Sequence, residues 1–465
     1  MYLTITEAAA ALRAGETTSV ALTEAAYALA DGHDEKLGVY LSRFDDTALA
    51  AAERADTELA SGRDRGPLHG IPLGIKDIIA TDEGETTAQS LILDRSWGAM
   101  GDAPVVARLR AAGAVITGKT STMEFAIGIP DPDKPFPIPR NPWNPEHYPG
   151  GSSSGTGGGV AAGMFLGGLG TDTGGSIRYP ATSCGITGLK QTFGRVPKYG
   201  CVPLGYSYDH IGPLARSAQD CAAMLAVLAG HDPRDATSVD RPVDDYTSGL
   251  TGSLEGVRIG VDPLLECSTL TVPELSGVLD AAVAELRVAG ATVTPVELPL
   301  YHELTATTMI GISAEAYAYH RPDLRTRWND YGAGTRMAVC AGALFPAGDY
   351  VQAQRVRRLG QRKISELFGD VDLIVTPTSA RGAAKLEKLA FDDIIDALHT
   401  PYWNALGNPA MSVPMGFTTD GLPLGMQIIG RPFEEAAVLA AGHAYQQRTN
   451  WHQQVPEMVP DAHAA

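Results

Sequence analysis

The sequence predicts an α/β protein built on a large, mixed and mostly parallel β-sheet that lies between layers of α-helices. The composition is that of a globular protein, with 44% hydrophobic and 19% charged residues. Short apolar segments of strand length alternate along the chain with longer amphipathic segments, which is typical of a sheet covered by helices on both faces. One strand–helix–strand unit, at 257–298, favours two parallel strands joined by a right-handed crossover.

The N-terminal part of the chain is predicted to begin with three helices. Thr6 is the candidate N-cap of the first helix, and Gly15 would end it, because a threonine hydroxyl can accept a hydrogen bond from the first turn and glycine tolerates the left-handed end. Thr18 and Gly32 are the corresponding residues of the second helix. An alanine-rich third helix is expected at about 46–61.

A strand, a helix–strand unit and a long loop follow. The segment 67–79 combines β-branched and apolar residues with prolines and glycines at its ends, so we expect a strand that contains Lys76. A helix, then Gly113, then a second strand are expected within 102–118. The segment 130–149 contains eight prolines and is predicted to be an extended loop, which forms either a pocket wall or a passive surface excursion.

The C-terminal half continues the alternation of helices and strands. After the unit at 257–298, helices are expected over much of 305–368 and a buried strand at 371–377. A hairpin is expected at 410–430 and a last helix at about 434–447. A chain of 465 residues could form two or three domains of average size or one large α/β domain.

Composition and charge exclude several classes of function. The net charge of −18, from 54 acidic and 36 basic residues, argues against nucleic acid as a partner, which requires a basic surface. The five cysteines are odd in number and form no Cys-x-x-Cys pair, so we expect free thiols in a reducing compartment. The N-terminus lacks a signal peptide, and the longest apolar run, 160–170, is shorter than the ~20 residues that span a bilayer. A cytoplasmic protein without a membrane partner is therefore predicted.

Familiar catalytic motifs are absent, apart from one partial match. The glycines are not followed by Gly-Lys-Ser/Thr, and there is no His-Glu-x-x-His or Cys/His cluster, so neither a metal nor a cofactor is expected. Residues 151–155 match Gly-x-Ser-x-Gly, the nucleophile elbow of α/β-hydrolases. That elbow follows a strand, whereas a proline-bounded turn precedes these residues, so the elbow is disfavoured.

The glycine-rich stretch at 149–180 is the best candidate for a site. Ser176 follows Gly174 and Gly175, and two consecutive glycines allow successive N–H groups to point the same way. Such a nest of N–H groups could hold the oxyanion that forms when a serine attacks a carbonyl carbon. The alternative is a plain glycine turn with a capping serine.

A nucleophilic serine needs a base, and Lys76 is a better candidate than any histidine. Its neighbours Ile75, Ile78 and Ile79 predict a desolvated setting. Burial disfavours the ammonium form, so the amine would be neutral and basic near pH 7. The alternative is that Lys76 forms an ion pair with Asp77 or another acid.

Taken together, eight segments resemble the amidase signature family. The matching segments are PLHGIPLGIKDI (67–78), GKTSTMEF (118–125), PGGSSSG (149–155), GTDTGGSIRYPA (170–181), CGITGLKQTFGRVP (184–197), SYDHIGPLARS (207–217), DLIVTPT (372–378) and GLPLGMQIIGRPFEE (421–435). The resemblance covers about residues 5–450, which is nearly the whole chain.

The resemblance implies a Ser–cis-Ser–Lys triad and an acyl-enzyme mechanism. Lys76 would be the base, Ser152 the bridging serine and Ser176 the nucleophile. The peptide bond between Gly151 and Ser152 would be cis. The backbone N–H groups of four residues would form the oxyanion hole: Thr173, Gly174, Gly175 and Ser176. Four further residues would support the site: Gly151, Ser153, Asp172 and Arg178.

The resemblance also implies the domain organisation of the fold. A single amidase domain is expected over 1–465, in the amidase signature fold. Its signature core would lie at about 66–217, and the C-terminal part, 252–450, would complete the sheet and the pocket.

Three functions remain open at this point. The first is a stand-alone hydrolase of an amide, an anilide or a carbamate (urethane), which would act on a small molecule as a monomer or homodimer. The second is the glutaminase subunit of a tRNA-dependent amidotransferase, which would deliver ammonia to a partner enzyme. The third is a non-catalytic binding protein on the same fold. The substrate pocket is expected to be walled by 123–149, 199–208 and residues near Trp403.

Overall fold

The computed structural model describes residues 2–458, with fourteen α-helices and eleven β-strands among them. The helices are α1 (Ile5–Ala14), α2 (Ser19–Leu37), α3 (Asp45–Ala60), α4 (Pro104–Ala111), α5 (Ser154–Ala161), α6 (Arg178–Cys184), α7 (Ala218–Leu228), α8 (Leu275–Val288), α9 (Tyr301–Thr326), α10 (Ala333–Cys340), α11 (Ala347–Leu367), α12 (Phe391–Ala397), α13 (Pro401–Leu406) and α14 (Glu435–Gln446). The strands are β1 (Tyr40–Arg43), β2 (Pro72–Lys76), β3 (Val115–Thr120), β4 (Gly167–Thr171), β5 (Thr187–Lys190), β6 (Ile211–Ala215), β7 (Arg258–Val261), β8 (Thr292–Pro295), β9 (Leu373–Pro377), β10 (Ala410–Phe417) and β11 (Pro423–Ile429).

The eleven described strands form one sheet, in the order β1-β3-β2-β4-β6-β5-β10-β11-β9-β7-β8. β2 runs parallel to β3 and β4, and β7 runs parallel to β8 and β9. The other six pairings are antiparallel. The predicted large mixed sheet is confirmed, but parallel pairs are not in the majority. Three of the antiparallel pairs come from two places in the sheet. β10 and β11 form a hairpin, and β6 runs antiparallel to both β4 and β5.

Helices cover both faces of the sheet, as β2 illustrates. Leu73 and Ile75 are fully buried in the larger hydrophobic core, together with side chains of α1, α4 and α7. Gly74, between them, points to the opposite face, where a Cβ atom would lie 2.8 Å from the ring of Phe165. Phe165 belongs to a second core with side chains of α5 and α6.

Most predicted elements are confirmed, but two helix boundaries differ. Thr4, and not Thr6, caps α1, because the Thr4 hydroxyl accepts from the Glu7 N–H while the Glu7 carboxylate accepts from the Thr4 N–H. Gly32 lies inside α2, which continues until Gly38 ends it in the left-handed conformation. A glycine within a helix costs only about 1 kcal/mol, so the longer helix tolerates it.

The proline-rich loop at 130–149 has no regular structure, as predicted, but hydrogen bonds fasten it. The Arg140 N–H donates to the carbonyl of Leu37 over 2.9 Å, and the Tyr148 N–H donates to the carbonyl of Ala384 over 2.8 Å.

In the described part of the chain, none of the helices is both long enough and apolar enough to cross a membrane.

The glycine-rich helix α5 begins where two parallel strands end. β2 ends at Lys76 and its parallel neighbour β4 ends at Thr171. The carboxyl ends of parallel strands meet at one edge of a sheet, which is where ligands bind in open α/β folds. Gly155 allows α5 to approach this edge, because a Cβ atom there would lie 2.4 Å from the carbonyl oxygen of Val39.

Candidate active site

The amine of Lys76 is fully buried at the end of β2 and donates hydrogen bonds to three hydroxyl groups. Nζ lies 2.7 Å from Ser152 Oγ, 3.1 Å from Ser153 Oγ and 2.7 Å from Thr171 Oγ1. Burial lowers the pKa of Lys76 to about 7, because an ammonium ion is poorly solvated in the protein interior. A lysine in this setting is partly neutral near pH 7 and can accept a proton from a hydroxyl group.

Lys76 forms no ion pair with Asp77 or with any other acid among the described residues, so the ion-pair alternative raised for this lysine is wrong. The carboxylate of Asp77 lies 3.4 Å from the amine of Lys119, and both side chains are fully buried. The N–H and hydroxyl of Thr87 also donate to Asp77. Lys76 is the last residue of β2 and Asp77 lies in the turn that follows, so the two side chains have different neighbours.

The three consecutive serines have different surroundings. Ser152 follows a cis peptide bond from Gly151, as the family resemblance implied. The Ser153 hydroxyl accepts from the Thr171 N–H over 3.1 Å and lies 3.2 Å from the Thr171 carbonyl. The Ser154 hydroxyl lies 2.6 Å from the hydroxyl of Tyr148. Ser153 and Ser154 therefore join the start of α5 to its neighbours.

The backbone N–H groups of the four successive residues 173–176 are called the nest below. Within the described residues, none of the four donates to a protein acceptor. Gly175 has a φ of +136°, which favours glycine. Backbone donors without a protein acceptor are available to stabilise a negatively charged oxygen.

The hydroxyl of Ser176 has no hydrogen bond to Lys76 or Ser152 among the described residues. The Ser153 N–H donates to the Ser176 carbonyl over 3.2 Å, which brings the two chain segments together. Among the described contacts, no hydrogen bond joins the hydroxyls of Ser152 and Ser176. Lys76 and Ser152 are thus brought together directly, whereas Ser176, which is half-buried, is joined to this segment through the backbone of Ser153.

Asp172 and Arg178 form a fully buried ion pair behind the nest, with nitrogen and oxygen 3.0 Å apart. Burial alone would raise the pKa of Asp172, but Arg178 holds that pKa well below its usual range. Asn404 donates to Asp172 over 2.8 Å and accepts from Arg178 over 2.7 Å. Arg178 also donates to the side-chain carbonyl of Gln427 over 2.9 Å. These bonds fix both ends of the loop that carries Ser176.

The predicted supporting residues are therefore joined by others that the sequence analysis did not identify. Asp209 accepts from the Thr173 hydroxyl over 2.6 Å. Thr171, Asp209 and Gln427 lie within segments that match the family, which is the signal that could have found them. Asn404 lies outside all of the matching segments, and no local pattern distinguishes it.

An apolar cavity lies beside Ser176. The residues that line it are Met123, Ala126, Ile127, Gly151, Gly174, Gly175, Ser176, Leu204, Met309, Ile312, Phe391, Ile394, Ile395 and Leu398. Among these lining residues of the described chain, none has a charged side chain. The cavity is therefore suited to the apolar part of a substrate, and Gly174, Gly175 and Ser176 of the nest form part of its wall.

The walls of this cavity agree only in part with the prediction. The segment 123–149 contributes residues only up to Ile127, and 199–208 contributes Leu204. Near Trp403 along the chain, the lining residues lie at 391–398, whereas Trp403 itself is fully buried in a separate core. Met309 and Ile312 of α9 were not predicted to line the cavity. These apolar residues have no sequence pattern that separates a pocket wall from a core face.

Comparison with known proteins gives a consistent match over nearly the whole chain. The family model described as Amidase matches residues 21–439. Among curated proteins, one subunit of the glutamyl-tRNA(Gln) amidotransferase of Chloroflexus aurantiacus is 41% identical over 487 residues, which cover 98% of this chain and 99% of that protein.

Two solved structures have the same overall fold. The peptide amidase from Stenotrophomonas maltophilia has a TM-score of 0.82 at 32% identity and covers 96% of this chain and 97% of its own. The second is described as a vestigial protein complex that reveals the evolutionary origins of an s-triazine catabolic enzyme. Its chain has a TM-score of 0.89 at 31% identity and covers 96% of this chain and 98% of its own.

Proposed function

Because the chain belongs to the amidase family and hydrolyses amide-type carbon–nitrogen bonds, we propose that it acts through an acyl-enzyme formed on Ser176. The observation that supports this most is the buried Lys76 amine, which lies 2.7 Å from the Ser152 hydroxyl and whose side-chain partners within residues 2–458 are all hydroxyl groups. A lysine that is buried away from water and has no carboxylate partner is more easily neutral, and the neutral amine can act as a base.

The proton moves in two steps in this mechanism. Ser152 gives its proton to the neutral Lys76 amine and takes the proton of Ser176, whose hydroxyl turns towards Ser152 when substrate binds. The Ser176 oxygen attacks the substrate carbonyl carbon. The amine leaves with a proton returned through Ser152, and an ester to Ser176 remains. Water then attacks this ester along the same proton path and releases the acid.

The nest at 173–176 supplies the oxyanion hole in this mechanism. The negative charge that develops on the substrate oxygen would be held by N–H groups that have no protein acceptor within the described residues. Donors that are already in place cost no reorganisation during the reaction, which makes this the largest single contribution in many acyl-transfer enzymes. The ion pair of Asp172 with Arg178 would keep the nest in position.

The curated relatives favour a glutaminase subunit over a stand-alone amidase. The relative from Chloroflexus aurantiacus, at 41% identity over nearly the full length of both chains, is a subunit of glutamyl-tRNA(Gln) amidotransferase. The second of the three candidate functions is therefore better supported than the first. The prediction of a monomer or homodimer that needs only a small molecule is not confirmed. In this candidate function the chain would release ammonia from glutamine for a partner enzyme.

The cavity lining favours an apolar substrate over glutamine, and this supports the stand-alone hydrolase as a second candidate function. Glutamine carries an ammonium and a carboxylate group, and burying either without a partner is costly. The lining residues beside Ser176 are apolar. An amide, an anilide or a carbamate with an apolar group would fill this cavity and place its carbonyl carbon at Ser176.

A substrate panel with the purified chain alone separates the two candidates. We suggest glutamine, an apolar acyl 4-nitroanilide and an apolar urethane, each with wild type and Ser176→Ala. Turnover of glutamine alone would assign the glutaminase, and turnover of the anilide or urethane alone would assign the stand-alone hydrolase. The mechanism requires that Ser176→Ala abolish every activity seen in wild type, and unchanged hydrolysis would refute Ser176 as the nucleophile.

A further inference from the structure

A threonine far from the signature segments contacts the back of the oxyanion nest. Thr400 is fully buried and directly precedes α13. Its hydroxyl donates to the carbonyl oxygen of Gly174 over 2.7 Å. A Cβ atom on Gly175 would lie 2.0 Å from the same hydroxyl, so Thr400 packs directly against this glycine.

The contact fixes the orientation of one peptide group in the nest. The Gly174 carbonyl and the Gly175 N–H belong to the same peptide unit. In a planar trans peptide these two groups point in opposite directions. Because the carbonyl points at Thr400, the Gly175 N–H points away from Thr400. Within the described residues, this N–H donates to no protein acceptor.

Thr400 is also held in place by the ion pair behind the nest. Its backbone carbonyl accepts a hydrogen bond from Arg178 over 3.2 Å. The hydroxyl and the carbonyl of Thr400 thus contact two parts of the loop that carries Ser176. A hydrogen bond to the Gly174 carbonyl also polarises the peptide group and strengthens its N–H as a donor.

We propose that Thr400 is a positioning residue for the hydrolytic reaction, which directs the Gly175 N–H at the substrate oxyanion. This inference rests on the proposed role of the nest. Thr400 does not line the cavity beside Ser176, so it acts through Gly174 and not on the substrate. It stabilises the transition state, in which the oxygen is charged, more than the bound substrate.

The test compares three variants by reaction with an alkyl fluorophosphonate. This probe forms a phosphorus–oxygen bond to a nucleophilic serine and releases fluoride, and its charged transition state uses the same donors. Thr400→Val removes the hydroxyl at nearly constant volume, and Thr400→Ser retains the hydroxyl. Thr308→Val is the matched control, because Thr308 is also fully buried and its hydroxyl donates to the Pro401 carbonyl over 2.8 Å without touching the nest.

We expect Thr400→Val to slow labelling of Ser176 by at least about tenfold and by at most about 10²–10³-fold, the effect of losing an oxyanion donor altogether, because the Gly175 N–H remains but is no longer held in place. Thr400→Ser should recover most of the rate, and Thr308→Val should react nearly as fast as wild type. On any amide that wild type turns over, Thr400→Val should lower kcat with little change in KM. If Thr400→Val does not fold, Thr400→Ala replaces it.

Two results would overturn the inference. The first is equal labelling rates for the Thr400→Val and Thr308→Val variants, and the second is a Thr400→Ser variant as slow as Thr400→Val. Both are distinct from a failure of the proposed mechanism, in which wild type itself would form no adduct on Ser176. Mass spectrometry of the labelled peptide distinguishes these outcomes.

Discussion

The Lys76 amine and the Ser152 hydroxyl lie 2.7 Å apart, although 76 positions separate the two residues along the chain. The parallel pairing of β2 with β4 brings Lys76 next to Thr171, and the turn before α5 brings Ser152 to the same sheet edge. Lys76 is thereby surrounded by hydroxyl groups in the protein interior. The lowered pKa of this lysine follows from that buried setting.

The activity should rise with pH through neutrality. Burial lowers the pKa of Lys76 to about 7, and the neutral amine is the form that can accept a proton. We therefore expect kcat/KM to increase with pH and to reach half of its plateau near this pKa. A pH–rate profile on the best substrate measures it. If kcat/KM of Lys76→Ala rose with pH to the same plateau and with the same midpoint, the rise could not be assigned to Lys76.

Replacing Lys76 by methionine should change how stability depends on pH. Lys76 has a pKa of about 7 in the folded chain and 10.5 as its ordinary value, so between these values the unfolded chain binds more protons. The free energy of unfolding of wild type therefore rises with pH in this window, by up to about 1.4 kcal/mol per pH unit. Lys76→Met lacks this contribution.

Urea unfolding at about pH 7 and about pH 9 measures this difference between the two proteins. We expect wild type to gain stability relative to Lys76→Met as the pH rises, while the variant is inactive at both values. Parallel pH dependences of the two proteins would contradict the low pKa of this lysine.

Replacing Ser152 should mainly lower the activity, whereas replacing Ser153 should mainly lower the stability. Ser152→Ala removes the bridging hydroxyl, and we expect kcat to fall by about 10²–10⁴-fold, as for other proton-transfer groups. Ser153→Ala leaves the Thr171 N–H without its acceptor and should lower the free energy of unfolding by about 1–3 kcal/mol. Steady-state kinetics and thermal unfolding of both variants test the distinction. A larger loss of kcat in Ser153→Ala would reverse the two roles.

Arg178→Met should destabilise the protein strongly. The substitution leaves the Asp172 carboxylate buried without its partner, which costs about 3–5 kcal/mol. Arg258→Met is the matched control, because Arg258 pairs with Asp372 over 2.8 Å at a solvent-exposed site, where such a pair contributes about 0–1 kcal/mol. Denaturant unfolding of the two variants gives the comparison. Similar losses in both would mean that the buried pair does not brace the nest.

Phe391→Ala should reduce activity on apolar substrates. Phe391 lines the cavity beside Ser176, and truncating a contact in an apolar pocket costs about 1–3 kcal/mol of specificity. We expect kcat/KM for the apolar anilide to fall by at least about tenfold. Phe417→Ala is the control, because Phe417 packs against Trp143 and Trp451 and is not among the lining residues. Equal effects of the two would argue against this cavity as the substrate site.

The order of the elements could be predicted from the sequence, but their arrangement in the sheet could not. The unit from β7 to β8 and the hairpin of β10 with β11 follow from local patterns, because their partners are close along the chain. The pairing of β5 with β10, which joins the two halves of the sheet, involves residues about 220 positions apart, such as Lys190 and Ala410. Strand pairing at that separation depends on the packing of the whole domain.

For the site, the sequence by itself determined two candidates, Ser176 from the two glycines that precede it and Lys76 from the apolar neighbours that desolvate it, and the family resemblance added Ser152. Only the tertiary structure decided what surrounds them. It assigned Asp77 to Lys119 and left Lys76 among hydroxyl groups. The contacts of Thr400 with the nest, and the apolar wall beside Ser176, come from segments that meet only when the sheet is complete. Side chains that act together in this way carry no shared local pattern, because the physical constraint on them is the packed interior and not the backbone of any one segment.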